Sequence, residues 1–402
     1  MSWPVQESVS LGRGRRAAIR LSDPRISAEH ASVEPRAGGF LIRDAGSRHG
    51  TFLNGTHVGR EGALASAGSL IRAGDTLLMC VNDVEKYRTP PRRIATPGLG
   101  SSERMIAGPL LAEVWDQAAR AGQHGDPVLI VGESGSGKEC VARILHAARA
   151  SPGPFVGINV TAIPKQLFEA ELYGHERGAF TGATLSRPGA FREASGGVLF
   201  LDEVDGLELE VQSKLLRALD RGEIRPLGAN RHVSVEARIV SATNANLREA
   251  CEAGTFRPDL YYRLSGVTIR VPPLFERPDD IVLLILEMKR ERSSELELSA
   301  DAVERLVTTR FEGNVRQLRA ALSHALDRAT SAGARQLTTE HLPALEPVAA
   351  PRGELTLERI RSAMKRNGGV AVRAAEALGV SRTALYKAMK RLGADLSSFR
   401  DS

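Results

Sequence analysis

The feature that most constrains this chain is a glycine-rich segment set between an apolar strand pattern and a helical pattern. Residues 127–131 read Pro-Val-Leu-Ile-Val and run directly into Gly132-Glu-Ser-Gly-Ser-Gly-Lys138. Glycines let the backbone curl so that successive N–H groups and the following helix N-terminus face phosphates, while Lys138 reaches the β and γ oxygens. This pattern predicts a nucleotide-binding α/β domain. The candidate phosphate-binding residues are Gly132, Glu133, Ser134, Gly135, Ser136, Gly137, Lys138 and Glu139.

A second apolar strand pattern ends in two adjacent carboxylates. The segment Gly197-Val-Leu-Phe-Leu is followed at once by Asp202 and Glu203. Because side chains alternate along a strand, the two acids point differently, so one can bind Mg²⁺ and the other can polarise an attacking water. We assign Asp202 to Mg²⁺ and Glu203 to the water. Two acids at a strand end are, taken alone, most often a solvated turn, but the upstream loop favours catalysis.

Residues 103–345, which include both motifs, alternate apolar strands with helical patterns. This alternation is typical of an α/β layer with a largely parallel sheet. Glu139 stands where a phosphate-binding loop usually has a Ser or Thr that binds Mg²⁺, so the metal depends on Asp202. ATP and Mg²⁺ are the expected cofactors.

A glycine-flanked hexapeptide lies between the two motifs. An exposed Phe is costly in water, so Phe180 is either buried against its own domain or presented to a partner. The hexapeptide and its approach, Glu171-Leu-Tyr-Gly-His-Glu-Arg-Gly178, resemble the GAFTGA loop of bacterial enhancer-binding proteins, the AAA+ ATPases that remodel RNA polymerase carrying sigma-54. The resemblance implies a contact with sigma-54 through Gly178, Ala179, Phe180, Thr181, Gly182 and Ala183.

The same resemblance implies roles for residues around the nucleotide. Asn244 ends an apolar strand pattern and matches the sensor I element near the γ-phosphate. Asn159 ends another and occupies the position at which the family couples Glu203 to nucleotide state through a hydrogen bond. A helix cap is the alternative for Asn159. Arg316 matches sensor II of a helical lid and is expected to touch bound nucleotide.

Two arginines resemble the family's arginine fingers, which reach the nucleotide of the neighbouring subunit. They lie in Phe256-Arg257-Pro-Asp-Leu-Tyr-Tyr-Arg263, with Arg263 our first choice and Arg257 our second. A planar, permanently charged donor neutralises the charge that develops on the transferred phosphoryl group. A finger supplied in trans requires oligomerisation, and the family implies a hexameric ring.

Residues 1–86 show short alternating apolar segments separated by turn-rich pieces, which is typical of an all-β sandwich. Their turns resemble the FHA domain, a phosphothreonine-binding sandwich, in Gly12-Arg13, Ser27-x-x-His30, Ser47-x-x-Gly-Thr and Asn54-Gly. A phosphate needs an Arg fork and hydroxyl or amide donors on rigid loops. The candidate phosphopeptide residues are Arg13, Ser27, Arg48, His49 and Asn54.

The FHA resemblance has two departures, Ala28 after Ser27 and His49 before the Gly-Thr pair. A sandwich used only for docking is therefore the alternative to phosphothreonine recognition. We expect His30 to be buried and to brace the loops.

Residues 354–402 carry three helical patterns and ten Lys or Arg against five acids, a net of +5. The break Leu378-Gly-Val-Ser381 reads as a tight turn with Ser381 as N-cap, and the segment resembles the Fis-type helix-turn-helix. Concentrated positive charge favours DNA over the alternative, a basic helix that docks to protein. The candidate DNA-binding residues are Ser381, Arg382, Thr383, Lys387, Lys390 and Arg391.

Two Pro- and Gly-containing stretches, 87–102 and 346–353, are predicted to be linkers between these three parts. The three cysteines lie far apart without C-x-x-C spacing, which argues against disulfides and zinc. The longest apolar run, residues 281–286, is far shorter than the ~20 residues that a membrane span needs. We expect a cytoplasmic protein without a membrane partner.

Together these resemblances imply a sigma-54-dependent transcriptional activator with an FHA sandwich, an AAA+ ATPase and a Fis-type helix-turn-helix. Its expected partners are sigma-54 RNA polymerase, enhancer DNA, copies of itself, and a phosphothreonine protein or Ser/Thr kinase. The main alternative is a DNA-binding regulator that acts by promoter occupancy, with the ATPase serving only assembly. A AAA+ protein unfoldase would not need the basic C-terminal helix.

Overall fold

The computed structural model describes residues 2–95, 104–149, 153–292 and 294–345, and six isolated helical residues beyond them. One compact unit holds Val5–Val81 and another holds Asn82–Ala344. Within these described ranges, no helix is long and apolar enough to cross a lipid bilayer.

The first unit is a sandwich of two β-sheets. Its strands are β1 Val9–Gly12, β2 Ile19–Arg20, β3 Ala31–Arg36, β4 Gly39–Asp44, β5 Thr51–Leu53, β6 Thr56–Val58, β7 Ala63–Ala65, β8 Leu70–Ala73 and β9 Thr76–Met79. One sheet has the order β2-β1-β3-β4-β7 and the other β6-β5-β8-β9. The all-β sandwich predicted for this region is confirmed.

Alternating burial explains why these segments pair as a sandwich. In β3, Ala31 and Val33 are buried, while the alternating residues Ser32 and Glu34 are only partly covered. The buried positions of both sheets meet in one core cluster of Val33, Ile42, Ala65, Ile71 and Cys80. Burial raises the pKa of the Cys80 thiol to about 11, so the thiol stays protonated and packs as a small apolar group.

The second unit is built around a parallel sheet covered by helices on both faces. Its first elements in chain order are β10 Arg92–Ala95, β11 Arg104–Ala107, α1 Pro109–Gly122, β12 Val128–Val131, α2 Lys138–Ala147, β13 Phe155–Asn159, α3 Lys165–Tyr173, β14 Gly174–His175, β15 Arg187–Pro188, α4 Ala190–Glu193 and β16 Val198–Asp202. They continue with α5 Leu209–Arg221, β17 Glu223–Ile224, β18 Val233–Ser234, β19 Arg238–Thr243, α6 Leu247–Glu252, α7 Pro258–Leu264 and β20 Val267–Arg270.

The main sheet has the strand order β13-β16-β19-β12-β20, with every neighbouring pair parallel. This confirms the α/β fold predicted for the region. In β16, Leu199 and Leu201 belong to one buried core cluster, while Val198 and Phe200 belong to the cluster on the opposite face. A strand buried on both faces reads as a continuous apolar run, which is why the segment before Asp202 has no polar residue.

The register of β13 against β16 brings two predicted site residues together. Asn159 lies directly opposite Asp202 at the carboxyl ends of these strands. The β12 strand, which leads into the glycine-rich loop, lies two places away, beyond β19. The carboxyl edge of the sheet therefore gathers the loop and both strand ends, as expected for ligand sites in open α/β sheets.

Part of the segment predicted to be a linker has regular structure. Residues 92–95 form β10, which pairs with β11 in an antiparallel hairpin on the second unit. Ile94 packs against the core, and two nearby ion pairs join Lys86 to Glu113 and Arg92 to Asp116. The sequence did not indicate this strand because four residues with a single inward apolar side chain carry too little periodicity.

A helical lid completes the second unit. It contains α8 Pro278–Glu291, β21 Glu297–Leu298, α9 Ala300–Val307, α10 Asn314–Ser331 and β22 Gln336–Leu337. Phe311 is buried in the turn before α10. The helical lid that the resemblance implied around Arg316 is therefore present.

Beyond residue 345 the structure describes only Ile360, Arg361, Met364, Ala371, Leu385 and Met389, all helical. Two buried pairs, Ile360 with Met364 and Leu385 with Met389, are each four residues apart. That spacing places each pair on one face of a helix. All six predicted DNA-binding residues, from Ser381 to Arg391, lie outside the described residues.

Candidate nucleotide-hydrolysis site

The glycine-rich loop joins β12 to α2 and curls around the Lys138 side chain. Two of its glycines have left-handed backbone angles, with φ of 70° at Gly135 and 106° at Gly137, which only glycine adopts at little cost. The Lys138 ammonium donates to the carbonyl oxygens of Gly132 at 2.9 Å and Glu133 at 3.1 Å. Burial lowers the pKa of Lys138, and the carboxylates of Asp202 and Glu203 oppose that shift. A cation beside a loop of backbone donors suits a phosphate chain.

The two carboxylates at the end of β16 differ in their surroundings. Burial raises the pKa of Asp202, with Glu203 and Glu139 adding to the increase and Lys138 opposing it. A half-buried carboxylate with acidic neighbours gains from a nearby cation, and carboxylate oxygen is a preferred Mg²⁺ ligand. No cluster of three or more metal-binding side chains occurs among the residues described.

Among the hydrogen bonds of the described residues, none joins Asn159 directly to Glu203. Its Oδ1 accepts from the backbone N–H of Thr161 at 2.9 Å and of Ala162 at 3.1 Å, so Asn159 caps the short turn after β13. The Thr161 hydroxyl instead contacts the Glu203 Oε2 atom. Sequence reasoning missed Thr161, because its role depends on two turns that are forty-two residues apart.

The sensor I position lies at the end of β19, next to the Asp202 strand. Asn244 is exposed there, while the preceding Thr243 is fully buried. The Thr243 hydroxyl donates to Asp205 Oδ1 at 2.5 Å and accepts from the N–H of Ala245 at 3.0 Å. Thr243 thereby joins β19 to the turn that carries Glu203.

The two predicted arginine fingers lie at the ends of α7 and have different partners. Arg257 forms two hydrogen bonds with Asp259, at 3.0 and 2.7 Å, and donates to the Ser213 hydroxyl at 3.1 Å. Arg263 lies 3.1 Å from Asp220 and donates to the carbonyl of Leu219 at 3.0 Å. Both guanidinium groups are about half exposed, so both are accessible from the surface of the second unit.

The lid contacts the loop through the start of α10. Asn314 is fully buried with a left-handed φ of 49°. Its Nδ2 donates to Glu133 Oε2 and to the Ser134 carbonyl, both at 3.0 Å, and its Oδ1 accepts from the N–H of Leu274 at 2.7 Å. Arg316 is exposed and reaches the Ser134 hydroxyl at 3.5 Å. Sequence reasoning selected Arg316 and missed Asn314, two residues before it.

The hexapeptide forms a closed turn on the surface of the second unit. The N–H of Gly178 donates to the Ala183 carbonyl at 2.8 Å, and the N–H of Ala183 donates to the Phe180 carbonyl at 3.0 Å. Ala183 is buried and anchors the turn, whereas Thr181 is exposed and Phe180 is 36% exposed. The Phe180 ring rests on His175, with 5.0 Å between ring centroids.

The predicted phosphopeptide residues lie on turns of the sandwich, away from its core. Arg13, Arg48 and His49 are exposed, and the Ser27 hydroxyl accepts from the N–H of Arg48 at 3.1 Å. Asn54 has a left-handed φ of 50° and its Oδ1 accepts from the N–H of Leu70 at 2.8 Å, so it also shapes its turn.

His30 is fully buried and braces two of these turns, as predicted. Its Nδ1 accepts from the N–H of Ser27 at 3.1 Å, so its Nε2 carries the proton and donates to the Gly50 carbonyl at 3.2 Å. Burial lowers the pKa of His30, which keeps the ring neutral in this arrangement.

The fold and the site define a P-loop ATPase with a helical lid. Comparisons with known families match residues 105–270 to the sigma-54 interaction domain and residues 276–352 to the AAA+ ATPase lid domain. Residues 9–74 match the FHA domain, and residues 355–392 match the bacterial regulatory proteins of the Fis family. The chain belongs to the sigma-54-dependent transcriptional regulators.

Individual relatives agree with this assignment. The transcriptional regulatory protein GlrR of Escherichia coli is 36% identical over 338 residues, covering 81% of this chain and 75% of the relative. The Nif-specific regulatory protein of Azotobacter vinelandii is 39% identical over 301 residues, covering 69% and 57%. The crystal structure of NtrX from Brucella abortus in complex with ATP is similar with a TM-score of 0.55 and 32% identity, covering 70% and 67%.

Proposed function

We propose that this protein binds enhancer DNA in the cytoplasm and hydrolyses ATP in a hexameric ring to remodel sigma-54 RNA polymerase for promoter opening. In this proposal the FHA sandwich spans residues 1–86, the ATPase 103–345 and the DNA-binding domain 354–402. Residues 87–102 and 346–353 link them. The observation that carries it is the closed hexapeptide turn. A turn held by its own backbone bonds, with an exposed Thr and a partly exposed Phe at its tip, is suited to contact a partner.

The residues around the glycine-rich loop fit ATP and Mg²⁺. Gly132–Lys138 would hold the phosphates and Asp202 would bind the metal, which neutralises phosphate charge when present. Glu203, which follows Asp202 directly after the end of β16, would orient and deprotonate the attacking water. Asn244, exposed at the end of β19, would lie near the γ-phosphate. Arg316, which reaches the Ser134 hydroxyl of the loop, would contact the bound nucleotide.

The sandwich would bias ring assembly by binding a phosphothreonine. Arg13, Arg48 and His49 are exposed cationic or polar side chains on neighbouring turns, and Ser27 connects two of those turns. A doubly charged phosphate binds well to such a group of donors. The phosphothreonine could belong to a partner protein or to another subunit, and a Ser/Thr kinase would supply it.

The decisive experiment is promoter opening by the purified protein with sigma-54 RNA polymerase and ATP. We expect the wild type to open the promoter, and Thr181→Ala to hydrolyse ATP normally while losing at least about tenfold in opening, since the loop would fail to transmit the ATPase cycle. Thr184→Ala, a change of the same type at an exposed residue just outside the hexapeptide, is the matched control and should behave as wild type.

Other outcomes would contradict specific parts of the proposal. Normal opening by Thr181→Ala would remove the loop from the mechanism. If hydrolysis by the wild type opens no promoter even after removal of residues 2–81, regulation by promoter occupancy becomes the better explanation. Unchanged assembly and ATPase activity after Arg13→Ala, with and without phosphothreonine peptide, would exclude phosphate sensing by the sandwich.

A further inference from the structure

The turn that follows β13 places one hydroxyl group between Asn159 and Glu203. Thr161 Oγ1 lies 2.9 Å from Asn159 Oδ1 and is in hydrogen-bond contact with Glu203 Oε2. A threonine hydroxyl carries a single proton, so it donates to one of these acceptors at a time. The Asn159 Oδ1 already accepts two backbone N–H groups, from Thr161 and Ala162. The hydroxyl proton is therefore directed to the Glu203 carboxylate, where the charge strengthens the bond.

The backbone around Glu203 is shaped to allow this contact. Glu203 itself has a left-handed φ of 56°, which turns the chain sharply after β16. Gly206, three residues later, faces the Thr161 turn, and a Cβ at that position would lie 3.0 Å from the Thr161 Cγ2 atom. A larger residue at Gly206 would push the two turns apart. Two separate features of the fold thus bring the Thr161 hydroxyl to the Glu203 carboxylate.

We propose that Thr161 is a positioning residue for ATP hydrolysis, whose hydroxyl orients the Glu203 carboxylate. This inference rests on the proposed role of Glu203 as the residue that activates water. With Oε2 held by Thr161, Oε1 is the oxygen left to accept a proton from the attacking water. In this arrangement Asn159 supports the contact by capping the turn that carries Thr161.

The test compares steady-state ATP hydrolysis by the full-length wild type, Thr161→Val and Thr161→Ser. Valine has nearly the shape of threonine without the hydroxyl, and Thr161 is exposed, so the fold is not at risk. We expect Thr161→Val to lower kcat about 3–10-fold, the effect of one lost orienting hydrogen bond, with KM for ATP unchanged. Thr161→Ser, which keeps the hydroxyl, should retain kcat close to that of the wild type.

A second variant separates this inference from the role of Glu203. We expect Glu203→Gln to lose nearly all hydrolysis. If Glu203→Gln is inactive while Thr161→Val equals or exceeds the wild type in kcat, the inference about Thr161 is wrong and Glu203 keeps its role. A change confined to KM, or a failure of Thr161→Ser to restore kcat, would also overturn it. Full activity of Glu203→Gln would overturn both proposals together.

Discussion

Asp279, in the first turn of α8, has a carboxyl group whose ionised form is disfavoured by its surroundings. Burial and the neighbouring charge of Asp280 raise its pKa to about 6. Its Oδ2 atom is buried and makes no hydrogen bond to any described residue. In contrast, Asp280 is bound at 2.9 Å by the buried Arg277. The ionised form of Asp279 is thus less stable in the folded protein than in the unfolded chain.

The sign of the resulting pH dependence follows from linkage. Between the unfolded pKa near 3.8 and the folded pKa of about 6, the native state binds more protons, so stability falls as pH rises through this window. Asp279→Asn cannot ionise and should be more stable than the wild type by up to about 3 kcal/mol at pH 7.5. The advantage should vanish near pH 4. Thermal unfolding of the full-length protein at both pH values measures this difference.

Asp301→Asn is the control for the loss of a helix-terminal charge, because Asp301 lies in the first turn of α9. We expect Asp301→Asn to be neutral or slightly destabilising at pH 7.5. Destabilisation of Asp279→Asn at pH 7.5 would show that the raised pKa does not govern stability at this position.

Single residues also mark where prediction from sequence succeeds and where it stops. Lys138, Asp202 and Glu203 are identified within short continuous segments, since a phosphate-binding loop and a strand end are local features. The hydroxyl that contacts Glu203 belongs to Thr161, which has no local pattern of its own. Its position follows from the parallel register of Asn159 with Asp202 and from the absence of a side chain at Gly206. Such contacts require the tertiary structure.

At the level of elements, the lid helix α10 and the glycine-rich loop are joined by their backbones. The N–H of Val315 donates to the Gly135 carbonyl at 3.1 Å. A Cβ on Gly135 would lie 2.3 Å from the Gly313 carbonyl oxygen, so this approach requires glycine. The lid therefore supports the loop directly, and the buried Asn314 side chain is the main polar link between them.

We predict that Asn314→Gly raises KM for ATP about 5–30-fold, while kcat changes less, because the loop loses its side-chain partners from the lid. Glycine keeps the left-handed backbone of this position, so the effect reports the hydrogen bonds rather than strain. ATP titrations of hydrolysis measure KM.

Asn54→Gly, at the left-handed asparagine in the sandwich, is the matched control and should leave KM for ATP unchanged. An unchanged KM in Asn314→Gly would show that the loop holds its shape without the lid.

Elements also show unequal predictability. Four of the five main strands, β12, β13, β16 and β19, follow apolar patterns that are long enough to recognise, whereas β20 was not predicted. The β10–β11 hairpin was not predicted, because β10 is short and lies in a stretch rich in Pro and Arg. Its partner strand, β11, is separated from β10 by residues 96–103. A strand of four residues gains most of its stability from such a partner.

At the scale of the whole molecule, hydrolysis is proposed to need more than one subunit. The polar partners of Arg263 within the described part of its own chain are Leu219 and Asp220, at the end of α5. A half-exposed guanidinium with surface partners would be available to the nucleotide of a neighbouring subunit in the proposed ring. If Arg263 acts in trans, mixing two inactive variants should restore hydrolysis, which a monomeric mechanism does not allow.

We predict that Arg263→Ala and Glu203→Gln are each inactive alone, and that mixing them restores hydrolysis. In a randomly mixed ring, about a quarter of the interfaces would combine an intact Arg263 with an intact Glu203 from the adjacent subunit. Recovery of up to about a quarter of wild-type activity is therefore expected. Mixing Glu203→Gln with the double variant that carries both changes should restore nothing. No recovery in the first mixture would indicate that Arg263 acts within its own subunit or elsewhere.

The contact between the lid and the glycine-rich loop has a consequence for how a subunit releases its product. The loop takes two hydrogen bonds from the lid at its own backbone carbonyls, from Val315 to Gly135 and from Asn314 to Ser134. If the lid separated from the loop, these carbonyls would lose their lid partners. Lid opening would then be a local unfolding reaction of the phosphate-binding loop, with its own free energy. The rate of nucleotide exchange in this ATPase would be set by the stability of that small cooperative unit.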